Sequence, residues 1–296
     1  MAGRIVMCEP TELYNILQQA TSYPCLSDAN YLLLLDARQT NEYNESHIIT
    51  SKKAPRSASG EFLVPYDGEL ECKIHVVILD SKTRSLKDQE PAIACAQVMS
   101  EMGSRNPVKV LRGGYEEFSA LYPFLRTQKI IYMPQELDDL QSYPVEVLPG
   151  RLYLGDCQQA CRAAVRKDLK IKAVVCLSVD PSELELSSEQ LFHIPVTDDE
   201  DGDMDPHLNP ACQFLGGVIR SEQAALVCSD HGLSRSVCVV LAYLMVFYKW
   251  TLKEAHKHLS DCKANIRPHR SFVHQLSMWE KTVFGEAITD ISDPNF

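Results

Sequence analysis

The sequence predicts an α/β protein of two domains, each built on a central sheet with helices packed around it. Three observations carry this. The chain has 296 residues, enough for two separate cores. Short apolar runs alternate with helix-length segments in both halves, the pattern of parallel strands joined by crossover helices. A polar stretch with Pro134 and Pro144 separates the two series. The expected boundaries are a first domain at 1–128, a linker at 129–142, a second domain at 143–286 and a tail at 287–296.

In the first half, Thr11–Ala20 reads as a short helix, with Leu13, Ile16 and Leu17 at helical spacing. Tyr31–Leu35, Val76–Leu79 and Val108–Leu111 are unbroken apolar runs and read as buried strands. Pro91–Met102 is helical by composition. The first strand runs into Asp36-Ala37-Arg38, followed by Tyr43-Asn44-Glu45-Ser46-His47-Ile48. Asp36, Arg38 and His47 are expected to form a buried polar network that holds loop ends.

In the second half, Ala224–Cys228 has a strand's composition and Val237–Tyr248 a helix's. Between them runs Ser229-Asp230-His231-Gly232-Leu233-Ser234-Arg235-Ser236. A strand, a tight loop and a helix N-terminus aim backbone N–H groups at an anion. Arg235 adds a planar fork for two phosphate oxygens, and Ser236 one more hydroxyl. Ser229 through Ser236 are therefore the candidate phosphate-binding residues. A cysteine at position 229 would ionise in such a cradle. A serine would stay protonated and need an adjacent base. His231 is the loop's one candidate for that base.

These residues resemble the dual-specificity phosphatases, whose loop reads His-Cys-x-x-Gly-x-Ser-Arg-Ser. Here Cys228 replaces the histidine and Ser229 the nucleophilic cysteine, while Gly232, Ser234, Arg235 and Ser236 stand. Gly150–Gly155, Ile171–Ser178, Leu241–Met245 and Pro268–Glu280 resemble the family's strands and helices. His193–Asp198 resembles the segment delivering the general acid, which makes Asp198 the acid position. The first half resembles a rhodanese-like domain through Asp36-Ala37-Arg38, the Tyr43–Ile48 stretch and Arg112–Phe118. An active rhodanese carries a cysteine in the loop after the strand matching Val76–Leu79. That loop reads Asp80-Ser81-Lys82-Thr83-Arg84-Ser85, so sulfur transfer is not expected; Cys72 and Cys95 lie on either side of it.

A rhodanese-like domain followed by a dual-specificity phosphatase domain is the plan of the MAP-kinase phosphatases. The resemblance, with its lost nucleophile, implies a pseudophosphatase that acts by binding. Its implied partners are proteins, phosphoproteins among them, including a mitochondrial dual-specificity phosphatase and a stress-granule assembly protein. A MAP-kinase docking loop would lie at Lys52, Lys53 and Arg56, where a solvated loop is the plainer reading. The alternative function is residual phosphoester hydrolysis through Cys228 or Ser229. Alternation along a strand turns Cys228 away from the ligand when Ser229 faces it.

Composition narrows the remaining classes. A net charge of −11 opposes nucleic-acid backbone binding. Eleven cysteines with no C-x-x-C pair give no zinc-site spacing, and no metal or other cofactor is expected. The first 20 residues lack the apolar core of a secretory signal and the arginine richness of a transit peptide, so an intracellular protein with reduced thiols is expected, in the cytoplasm or the mitochondrion. The acidic run Asp198–Asp205 fails the calcium-loop pattern and reads as a solvated loop. It and Asp230 are expected to repel a phosphate dianion.

Overall fold

The computed structural model describes residues 4–293 apart from 22, 67, 132, 179–183 and 185–189; residues 294–296 of the expected tail lie outside the described residues. The architecture is two-domain α/β. The chain divides into two compact units, Met1–Gln141 and Ser142–Phe296.

The first unit begins with β1 (Ile5–Cys8), α1 (Pro10–Gln18), β2 (Leu32–Asp36), α2 (Thr40–Glu45), β3 (His47–Ile48) and β4 (Lys52–Lys53). It continues with β5 (His75–Leu79), α3 (Pro91–Glu101), β6 (Val108–Leu111), α4 (Gly114–Leu121), β7 (Arg126–Thr127) and α5 (Pro134–Asp138). The main sheet has the order β1-β6-β5-β2-β4. Its pairs are all parallel. Strands β2 and β5 are apolar on both faces because helices cover both. Leu33, Leu35, Val76 and Ile78 pack with Ala92, Ala96 and Met99 of α3. Helix α1 starts at Pro10, whose fixed φ suits the first helical position. The expected strands and helices are present, with ends shifted by a residue or two.

The carboxyl end of β2 is fixed by a buried ion pair. Arg38 Nη2 donates to Asp36 Oδ2 at 2.6 Å, and Arg38 Nε to both carboxylate oxygens. Arg38 also donates to Ser46 O and lies over the Tyr115 ring. His47 stacks on Tyr43, its Nδ1 within 3.0 Å of Tyr43 O. The loop after β5 is closed by Asp80, which accepts from Thr83 N, Thr83 Oγ1 and Ala92 N. A side chain at Gly114 would collide with Asp80 O at 2.4 Å, and its φ of +56° is one that glycine adopts freely.

The second unit contains β8 (Val145–Leu148), β9 (Leu152–Asp156), α6 (Cys157–Cys161), α7 (Ala163–Asp168), β10 (Ile171–Leu177) and β11 (Leu191–His193). These are followed by α8 (Asp205–Arg220), β12 (Ala224–Ser229), α9 (Arg235–Tyr248), α10 (Leu252–Cys262) and α11 (Arg270–Phe284). The sheet order is β11-β10-β12-β9-β8, antiparallel only between β8 and β9. Helix α9 is apolar all round and is buried from Arg235 to Met245, as a helix enclosed by others must be. Each fully buried aliphatic side chain there contributes about 1.5–3 kcal/mol. Ala225 and Val227 of β12 join this core, together with Leu215, Leu259 and Phe272.

Glu280 is fully buried in α11 and accepts from Leu252 N, Ile288 N, Thr289 N and Thr289 Oγ1 at 2.7–2.9 Å. One carboxylate thus anchors the start of α10 and ties in residues 288 and 289, within the segment expected as a tail. The segment expected as a linker contains α5 and belongs to the first unit through Gln141. Among the described residues no helix is long and apolar enough to cross a membrane.

Candidate functional site

The site stands where β12 gives way to α9. In register, Ser229 lies between Leu177 of β10 and Asp156 of β9, at the carboxyl ends of three parallel strands. This is where α/β sheets open their ligand crevices. Gly232 makes the loop's turn at a φ of +67°. A Cβ there would meet Gly155 O at 2.5 Å, so the loop packs against the end of β9 as only glycine permits.

Ser229 Oγ and Ser236 Oγ share a hydrogen bond of 2.9 Å, and both residues are buried. Ser234 Oγ donates to Asp198 Oδ1 at 2.6 Å and accepts from His269 N at 3.1 Å. Leu233 O accepts from Arg267 N. The loop is therefore tied both to the acid-bearing segment and to the lead-in of α11. His231 is exposed. Asp198 also lies 3.7 Å from Arg235 Nε.

Arg235 is nearly fully buried and its fork is largely engaged. Nη1 donates to Val196 O at 2.8 Å, and Nη2 to Asp230 Oδ2 at 2.5 Å. Nε is buried without a hydrogen-bond partner. The sequence predicts that Asp230, inside the loop, repels a phosphate dianion. The folded loop turns its carboxylate onto Arg235. Electrostatic pairing with Arg235 outweighs exposure, since the carboxylate is still half open to solvent.

The acidic segment after Asp198 is exposed at Asp199, Glu200 and Asp201. Its oxygens serve local turns: Asp199 Oδ1 accepts from Thr197 Oγ1 and Asp201 N.

Cys228 lies on the other face of β12 from Val227 and Ser229, as strand alternation requires. It is fully buried. Its sulfur lies within 4.8 Å of those of Cys157 and Cys176, and the three are mutually that close. Hydrogen bonding with Cys157 and Cys176, added to burial, pushes the Cys228 thiol well above the usual range. Hydrogen bonds from Cys157 and Cys228 push Cys176 down. Chain spacing shows the cysteines as scattered; the parallel register of β9, β12 and β10 gathers three of them. Cys176 and Cys228 are direct cross-strand partners, and Cys157 follows Gly155, the partner of Cys228 on the other side. The signal in the sequence is one cysteine near the end of each of three core strands.

In the first unit, the three cations of the stretch read as a solvated loop, with kinase docking as its alternative, are differently placed. Lys53 Nζ donates to Arg38 O, and burial lowers its pKa. Arg56 Nη2 donates to Ala37 O at 3.1 Å and its guanidinium lies 4.0 Å over the Phe62 ring. Lys52 is exposed. Two of the three charges thus hold the end of β2. Cys95 is fully buried in α3, and its thiol is pushed up to about 12 by burial. Cys72 is exposed.

Comparison with known proteins identifies both domains. The profile described as dual specificity phosphatase, catalytic domain, matches residues 152–282, and the rhodanese-like domain profile matches 12–121. Human dual specificity protein phosphatase 1 is 30% identical over 292 residues, covering 85% of this chain and 78% of that protein. Human dual specificity protein phosphatase 4 is 28% identical over 291 residues, covering 85% of this chain and 73% of that protein. Among solved structures, human DUSP28 aligns with a TM-score of 0.45 and 27% identity, covering 48% of this chain and 96% of that one. With both domains matched in order and a relative at 30% identity spanned over most of its length, the chain belongs to the dual-specificity protein phosphatase family.

Proposed function

We propose that this family member is a pseudophosphatase of the serine/threonine/tyrosine-interacting-like kind. It acts by binding proteins, as a regulator or adaptor in phosphatase, MAP-kinase or stress-response signalling. The observation that carries the reading is Ser229 at the nucleophile position, its hydroxyl paired with another hydroxyl rather than with a base. A serine there stays protonated in a cradle that would ionise a cysteine. The Asp230–Arg235 pair supports the same reading, because a substrate phosphate must first displace an internal carboxylate.

Hydrolysis through Cys228 is the weaker reading. That thiol is fully buried on the face away from the cradle, with its pKa raised. Sulfur transfer is weaker still, since the loop closed by Asp80 carries no cysteine and Cys95 is buried as a thiol. Lys53 and Arg56 are engaged by backbone carbonyls just after β2, which weighs against a free basic kinase-docking loop although Arg56 is exposed.

The test is hydrolysis of a small aryl phosphate by the wild type, by Ser229→Cys/Asp230→Asn and by Cys228→His/Ser229→Cys. A silent wild type with turnover in either double variant is expected. Turnover by the wild type above a buffer blank refutes the proposal.

A further inference from the structure

The three-thiol cluster is not used by any phosphatase chemistry, and its construction is that of a site. Each thiol comes from a different element of one rigid sheet: Cys176 from β10, Cys228 from β12, and Cys157 from the first position of α6, directly after β9. Cys176 and Cys228 are buried, whereas Cys157 is half-buried and gives the cluster a way in from solvent. All three sulfurs lie within 4.8 Å of one another. Thiolates that share one tetrahedral zinc ion at about 2.3 Å stand about 3.8 Å apart, so closing the set needs movements of about 1 Å or less. Three sulfurs also exceed what a disulfide can use, since one thiol would be left over.

We propose that Cys157, Cys176 and Cys228 form a binding site for a thiophilic d10 cation, zinc(II) being the ion the set fits. Soft thiolates favour zinc or copper(I) over calcium and magnesium. Binding is a ligand exchange without redox change: zinc(II) takes three thiolates, the protons their thiols still hold leave to solvent, and the three-sulfur centre carries one net negative charge. Asp230 Oδ1 lies 4.0 Å from the Cys157 sulfur. Asp230 thus stands between the sulfur cluster and Arg235, touching one with each carboxylate oxygen. Ser178 Oγ, 3.3 Å from the Cys176 sulfur, supplies an outer hydrogen bond to the ligand set.

The test uses the full chain, reduced and stripped of metal, titrated with cobalt(II) as a spectroscopic substitute for zinc and then with zinc(II) in competition. The expected result is a near-ultraviolet thiolate-to-cobalt charge-transfer band that saturates at one equivalent and is abolished by one equivalent of zinc. Cys157→Ser, which changes a half-buried position, removes the band while the far-ultraviolet circular dichroism remains native. Cys161→Ser, which changes a half-buried thiol outside the cluster, keeps it. Absence of the band in the folded wild type overturns the proposal, as does a band of equal intensity in Cys157→Ser. Copper(I) bound at one equivalent while zinc fails to compete with cobalt would also overturn the assignment of zinc.

Discussion

Arg235 Nη2 donates to Asp230 Oδ2 at 2.5 Å, so the arginine that opens α9 holds a carboxylate five residues away in its own chain. The second arm of the fork is spent on Val196 O, and only the buried Nε is left without a hydrogen-bond partner.

Arg235 carries structural weight as a result. Lysine at this position keeps the charge but cannot hold Val196 O and Asp230 from one planar fork. Arg235→Lys should lower unfolding free energy by about 1–3 kcal/mol, the range for hydrogen bonds to a charged group. Urea denaturation of the full chain, followed through the second unit's Trp250 and Trp279, reads the change.

The Asp36–Arg38 pair is nearly solvent-free on both sides, with side-chain exposures of 0% and 5%. Removing one partner leaves an uncompensated buried charge, which costs roughly 3–5 kcal/mol. Arg38→Met should therefore shift the urea midpoint of the first unit strongly, whereas Arg105→Met, in an exposed pair with Glu71, should shift it by no more than about 1 kcal/mol.

Glu280 accepts from four donors. Glu280→Ala leaves Leu252 N and the amides of residues 288 and 289 without their acceptor. Each buried donor so stranded costs about 1–3 kcal/mol. Hydrogen exchange should accelerate at residues 252, 288 and 289 before it does elsewhere in the unit.

His75 gives the first unit a pH dependence. Burial, with Lys109 nearby, pushes its pKa down to about 4, against a weaker opposing pull from Glu12. The unfolded chain titrates near about 6.5, so between these values it binds a proton the folded chain does not. Stability is therefore lost as pH falls from about 6.5 to about 4, and this contribution is flat below. Thermal midpoints measured across that window should fall less steeply for His75→Gln than for the wild type.

Much of the fold is legible in the sequence because β2, β5, β6, β10 and β12 are near-continuous apolar runs buried on both faces. Strand β1, apolar but only partly buried, and β4, two lysines, are short edge segments whose conformation comes from their neighbours in the sheet. Ser229 and Arg235 are legible as a pair, since a strand, a turn and a helix fix their spacing. The role of Asp230 is not. Its sign of action depends on whether the loop turns the carboxylate towards solvent or towards Arg235, and that is decided by how Gly232 seats the loop on β9. The Cys157–Cys176–Cys228 cluster escapes for a related reason: cross-strand register, not chain spacing, brings the thiols together.

The most direct test of the closed cradle is calorimetric titration of the wild type, Asp230→Asn and Asp230→Asn/Arg235→Ala with a phosphotyrosine peptide. Asp230→Asn should bind at least about tenfold tighter than the wild type, equivalent to about 1.4 kcal/mol, and the added Arg235→Ala should abolish the gain. Equal affinity for the wild type and Asp230→Asn would contradict the account, because the carboxylate on Arg235 would then not be what an incoming phosphate has to displace.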